Sequence, residues 1–211
     1  NNITLNNGCA DGAGDQGRGG GLFNEGTLTV NKSKFNNHQA VIGGAITQNG
    51  TGATGGMENN SFSNNSAING GGIYNQNATI TTLQNNTFSN NSASYGGGLF
   101  TLGGTITTLQ NNTFSANSAS EGGGGLWNSS TIGTIQNNTF SGNSAGFDGG
   151  GILNTSGNTI TTLQNNTFYN NSADNGGGIF NLNAGINTEQ NNIFLFSSCF
   201  DVSSNSNSLS D

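Results

Sequence analysis

The sequence predicts an all-β chain wound as a three-sided parallel β-helix, a β-solenoid of about eight coils of 26–27 residues. Three observations lead there. The phrase Asn-Asn-Thr-Phe-Ser-Asn-Asn-Ser-Ala recurs almost verbatim, its phenylalanine falling at Phe35, Phe62, Phe88, Phe114, Phe140, Phe168 and Phe194. The gaps are 27, 26, 26, 26, 28 and 26 residues, and Leu5 fills the same slot 30 residues before Phe35. Only 30% of residues are hydrophobic, yet those few sit at fixed positions of the repeat. That placement, with a modest net charge of −7, argues for order over a low-complexity tract.

Residues 70–95 illustrate one coil. Three short apolar-bearing segments, GIYN, TITTLQ and NTFSNNSA, are separated by Gly or Asn groups. Segments of four to six residues rich in Thr, Ile and Phe are strand-like and too short for helices. Gly and Asn supply the left-handed corners that a sharply turned backbone needs. Coils ~4.8 Å apart stack into a rod of roughly 38 Å.

Strand alternation sorts the columns into inward and outward. The aliphatic after each glycine run (Leu22, Ile46, Ile73, Leu99, Leu126, Ile152, Ile179) points inward. The phenylalanines and the column Val30, Leu83, Leu109, Ile135 and Leu163 do the same. Asn65, Asn91, Asn117, Asn143 and Asn171 recur three residues after each Phe and are expected to form an internal ladder of amides. The glycine runs let neighbouring backbones approach without a Cβ.

These residues carry a resemblance. Residues 43–46 read GGAI, the other coils carry GGGI or GGGL, and Phe-x-x-Asn is met at 62–65, 88–91, 114–117, 140–143 and 168–171. It fails at 35–38 (FNNH) and 194–197 (FLFS). Over residues 1–200 the chain resembles the repeat region of the chlamydial-type polymorphic outer-membrane proteins and related bacterial β-helix surface proteins. The resemblance implies a right-handed β-helix displayed at a cell surface as an adhesin-like passenger. Residues 1–202 are expected to be one domain, with coils 1–34 and 180–202 atypical and 203–211 a polar tail. The start NNITL reads as a processed or excerpted piece.

Composition narrows the partners. With Arg18, Lys32 and Lys34 the only basic residues, the chain cannot present an electropositive face to nucleic acid. No apolar run approaches the ~20 residues of a transmembrane helix. Charged residues are 6% of the chain and Asn, Ser, Thr and Gly abound, which suits an extracellular or cell-surface setting. Fourteen Asn-x-Ser/Thr sequons arise from the repeat itself, as at Asn85 and Asn111, and say little about glycosylation.

Three further columns are candidates for function. Phe23, Thr47, Tyr74, Phe100, Trp127, Leu153 and Phe180 follow the inward aliphatic and are expected to face solvent. Their aromatics Phe23, Tyr74, Phe100, Trp127 and Phe180 would be a contact stripe for a subunit, glycan or host receptor, or a stack that stiffens the rod. Paired threonines (Thr79/Thr81, Thr105/Thr107, Thr159/Thr161) resemble an ice-binding array but fail in the sixth coil, and β-propensity also explains them. Glu121, Asp148 and Asp174 precede the glycine runs of three consecutive coils. They are a weak Ca²⁺ or glycoside-hydrolase candidate against a plainer reading as solvated corner charges. His38 and Arg18 have no evident catalytic partner, so the expectation is a non-enzyme with no cofactor and no resident metal.

Where the repeat breaks, assembly is suggested. Cys9 takes the serine slot of the first coil and Cys199 the adjacent alanine slot of the last. Seven coil steps put them ~34 Å apart, far beyond the ~7 Å limit for a disulfide. Head-to-tail stacking would let Cys199 of one copy meet Cys9 of the next; the alternative is two unpaired thiols or pairing with sequence outside this chain. Leu5, Ile193, Phe194, Phe196, Phe200 and Val202 are the expected apolar contacts of such an axial interface. The leading expectation is therefore a structural or adhesive solenoid that stacks into a filament or array. A glycan- or receptor-binding adhesin comes second, and an ice-binding protein or polysaccharide-active enzyme trails.

Overall fold

In the corner pairs of asparagines from Asn59 onward the first residue takes a left-handed backbone and the second turns inward. Asn85, Asn90, Asn111, Asn137, Asn165 and Asn170 have φ of 52–56°, a conformation that Asn tolerates better than other non-glycine residues. Asn86, Asn91, Asn112 and Asn138 beside them are buried. The computed structural model describes residues 3–51, 54–155, 157–197 and 202–204, and there the chain is a three-sided parallel β-helix.

The phenylalanine strands form one sheet in chain order: Thr4–Asn6, Lys34–Asn36, Ser61–Ser63, Thr87–Ser89, Thr113–Ser115, Thr139–Ser141, Thr167–Tyr169 and Ile193–Leu195. Eight strands deep, it corresponds to about seven complete turns rather than eight. A second sheet joins the strands after the glycine runs to the Thr-rich strands. In two coils these run together as Leu99–Gln110 and Leu126–Gln136, where sequence suggested two separate segments. Gly103 and Gly104 bend the first of them at φ 65° and 73°. The third side is thin, built from Ser92–Tyr95, Ser118–Gly122, Ser144–Ala145 and isolated parallel bridges. A 3-10 turn at Gly14–Gly17 lies within the longer first interval. Among the described residues no helix is long and apolar enough to cross a membrane.

The core is made of columns, as alternation predicts. Phe35 to Phe168 are fully buried, and successive rings, with Phe194 at the end, stack at 4.6–5.1 Å and within 15° of parallel. Ring contacts of this kind are worth roughly 0.5–1.5 kcal/mol each beyond area burial. Met57 completes the Val30–Leu163 column.

The expected amide ladder is present. The backbone N–H and Nδ2 of Asn91 donate to Oδ1 of Asn117 at 3.1 and 2.9 Å, and Nδ2 also donates to the Phe62 carbonyl at 3.0 Å. Asn117 repeats the pattern on Asn143 and Phe88. A second ladder, unforeseen from sequence, runs Asn60, Asn86, Asn112, Asn138, Asn166, Asn192 at the opposite corner. Shorter links join Thr101, Asn128, Asn154 and Asn181.

Where FNNH breaks the motif, His38 stands in for asparagine. Its Nδ1 accepts from the Gly8 N–H at 2.9 Å, so its proton sits on Nε2, which donates to the Leu5 carbonyl at 2.9 Å. Those two bonds reproduce the Oδ1 and Nδ2 roles of Asn65. Burial pushes the imidazole below the ordinary histidine range. At FLFS the Ser197 Oγ is buried with no partner among the described residues.

Two outcomes are expected. Asn117→Ala removes two acceptor and two donor contacts and strands the Phe88 carbonyl and an Asn91 N–H; urea unfolding should register a loss of about 2–4 kcal/mol. For His38 the unfolded chain binds more protons than the folded one, so its contribution is complete above about pH 6.5 and is lost as pH falls. Urea midpoints at pH 7.5 and 5 should therefore diverge in the wild type, and less so in His38→Asn.

Candidate functional site

The aromatic column differs from its expected exposure. Tyr74 and Phe100 are 3% and 8% exposed, Thr47 and Leu153 are buried, and Phe23, Trp127 and Phe180 are only half-buried. The column is not an open stripe because the corner before each glycine run folds over it. Tyr74 stacks on Phe100 at 5.3 Å and Phe100 on Trp127 at 5.6 Å, while the Arg18 guanidinium lies 5.9 Å from the Phe23 ring centre. Burial raises the Tyr74 phenol above its ordinary pKa, with nearby Arg18 opposing.

The covering corner is itself a column: Arg18, Ile42, Asn69, Tyr95, Gly122, Asp148 and Asn175 pair in parallel register. Six of these seven positions carry a side chain that can roof the aromatics or reach solvent. Gly122 carries none. The fifth coil has four glycines, Gly122–Gly125, where the fourth has three, and the extra residue makes a bulge between Ala93 and Tyr95 in the pairing. The result is a cleft of about 180 Å³. A Cβ on Gly122 would come within 2.7 Å of Leu153 Cδ2 and 3.1 Å of Trp127 Cζ3, so those side chains form its floor.

Around that floor stand Tyr95, Phe147, Glu121 and Asp148. The Tyr95 and Trp127 rings meet edge to face, 5.0 Å apart at 88°, and make a right-angled aromatic corner. Phe147 is 54% exposed at the rim. One Asp148 oxygen accepts from Asn175 Nδ2 at 2.9 Å. Of the acidic trio named from sequence, Glu121 and Asp148 thus share a cleft, but Asp174 is exposed and outside it. Among the described residues no three Asp, Glu, His or Cys side chains gather, so the trio does not make a calcium site. The one-residue slip in register is the reason: Asp148 pairs with Gly122 and Asn175, not with Glu121 and Asp174.

Residues 44–210 match the family described as the right-handed beta helix region. The chain belongs to that family. No curated protein and no solved structure matches it. The β-helix scaffold fits a structural or binding role.

The remaining breaks in this β-helix lie at its two end coils. Cys9 is exposed and unpaired among the described residues; Cys199 and Phe200 lie outside them, and of Val202 only the strand Val202–Ser204 is described. Leu5 and Phe194 pack half-buried on the core. On the outer face of the phenylalanine sheet, positions held by Thr and Ser in earlier coils become Tyr169, Ile193 and Leu195, all exposed. Phe196 beside them is 79% exposed and meets Tyr169 edge to face at 5.9 Å. Inside the same coil, Glu189 takes the slot of Leu163 in a core column. Burial raises its carboxyl pKa, against a hydrogen bond from Asn192.

A charged group held above its usual pKa weakens the fold most at neutral pH and less as it protonates. Glu189→Leu should therefore stabilise the β-helix by about 1 kcal/mol at pH 7, and the gap to wild type should narrow when unfolding is repeated near pH 4.

Proposed function

We propose that this β-helix is a non-enzymatic extracellular or cell-surface solenoid whose role is structural or adhesive, and that it associates with copies of itself through its final coils. The observation that carries this reading is the apolar patch of Tyr169, Ile193, Leu195 and Phe196. The third to sixth coils put Ser or Thr at the outward strand positions that Tyr169, Ile193 and Leu195 take. Contiguous exposed apolar area on an otherwise polar protein marks contact surfaces, and a second copy with the same patch is the simplest complement. The commitment of interior polar residues to ladders supports a scaffold rather than a catalyst. The GGA-aliphatic and Phe-x-x-Asn repeats, in their likeness to the polymorphic outer-membrane proteins, support surface display.

Head-to-tail stacking, with Cys9 of one copy joined to Cys199 of the next, would be a second and axial contact between copies. The exposed Cys9 thiol supports it. A glycan- or receptor-binding adhesin is the second reading, favoured by the half-exposed Trp127 in its cleft.

Sedimentation velocity at ~100 µM should give dimers or longer species that Leu195→Ser with Phe196→Ser returns to monomer. Non-reducing gels should give a ladder that Cys9→Ser abolishes. A wild-type monomer in sedimentation, with one band on reducing and non-reducing gels alike, would sink the self-association.

A further inference from the structure

The cleft at Gly122 has a chemistry that self-association does not use. Two aromatic rings meet at a right angle, a third stands at the rim, and the acidic residues Glu121 and Asp148 line the same space. Aromatic faces carry negative potential and attract a cation within about 6 Å, and alkylated ammonium ions are the ligands such cages hold. Carboxylates supply the net charge that rings lack.

The chain's cations lie toward its other end. Arg18, Lys32 and Lys34 belong to the first two coils, and the Arg18 guanidinium donates to Gln76 Oε1 at 3.1 Å in the third, while the cleft spans the fourth to the sixth. The whole chain is also acidic, at −7.

Size and lining exclude other occupants. A cleft of about 180 Å³ is smaller than the ~300 Å³ at which pockets for larger organic ligands begin. It suits a headgroup, not an oligosaccharide. A hard metal ion wants six or more oxygen ligands, and apolar Leu153, Trp127 and Phe147 occupy the faces those ligands would need. Asp148 is already oriented by Asn175, whereas the Glu121 carboxylate makes no side-chain hydrogen bond among the described residues. One acid is fixed and the other is able to close on a ligand.

We propose that this cleft is a binding site for an alkylated ammonium headgroup, the quaternary ammonium of choline being the simplest case. The ring corner of Tyr95 and Trp127 receives the methyl-bearing face of the cation, Phe147 covers it, and Glu121 and Asp148 balance its charge.

Trp127 is the chain's one tryptophan, so its fluorescence reports on the cleft alone. Titration with choline chloride at constant ionic strength should give a saturable change with Kd on the order of millimolar. The uncharged isostere 3,3-dimethylbutanol, and glucose, should bind at least ~10-fold more weakly. Glu121→Gln with Asp148→Asn should weaken choline by at least ~10-fold while far-UV circular dichroism stays unchanged. Gly122→Leu, which fills the space, should abolish the response, and the double acid variant keeps the test intact if Gly122→Leu misfolds. Co-sedimentation with phosphatidylcholine but not phosphatidylglycerol vesicles would assign the headgroup to a lipid; choline binding without it would assign the free cation. No saturable change, equal binding of the isostere or glucose, or full affinity in the double acid variant would each overturn the site.

Discussion

In-register stacking is the constraint on which the rest of this molecule depends. Coils lie one strand spacing apart, so the nearest neighbour of every interior side chain is the residue in the same slot of the next coil. A slot is therefore stable only with a side chain that tolerates its own copy. Phenylalanine does so by ring stacking at 4.6–5.1 Å. Asparagine does so because its amide has a donor on one side and an acceptor on the other, and each residue satisfies the next. A buried amide left unpartnered would cost about 1–3 kcal/mol, so the ladders must be continuous or be replaced by something equivalent. His38 is that equivalent at the N-terminal end of one ladder, presenting the same acceptor and donor in a larger ring.

That constraint also governs which features were legible in the sequence. The phenylalanine column, the aliphatic columns and the Asn65–Asn171 ladder were readable because self-stacking forces repetition, and repetition is visible in one chain. The Asn60–Asn192 ladder was not, since both residues of its Asn-Asn corner pairs repeat, whereas Ala116 and Gly142 replace the first residue at the other corner and leave only the second to recur. Only the coordinates separate the left-handed Asn85 from the inward Asn86. The aromatic column was misjudged for a different reason. Alternation correctly turns Tyr74 and Phe100 away from the main core, but it carries no information about a corner folding back over them. The cleft depends on one additional glycine in the fifth coil and the bulge it causes. Four glycines in place of three were its sequence signal, easily lost in a chain with 37.

Departures from the repeat concentrate where contact chemistry is available. Repeated positions are engaged by their own copies, which leaves little of their surface for a partner. The cleft at Gly122, the outward Tyr169 and Leu195, and the exposed Cys9 are all positions where the self-complementary pattern lapses. Glu189 is a lapse of another sort: an acid in a core column near the end of the described stack. It lies in the coil that also carries the apolar outer face.

The central claim is that continuous amide ladders, and not the thin apolar core alone, hold the rod together. Side-chain amide hydrogen exchange measured by NMR tests it directly. The account predicts two classes of asparagine: Nδ2 protons of Asn91, Asn112, Asn117 and Asn138 exchanging only through global unfolding, and those of the exposed Asn111 and Asn137 exchanging freely. Ladder amides that exchange as fast as the exposed ones, in a rod whose core remains folded, would contradict it.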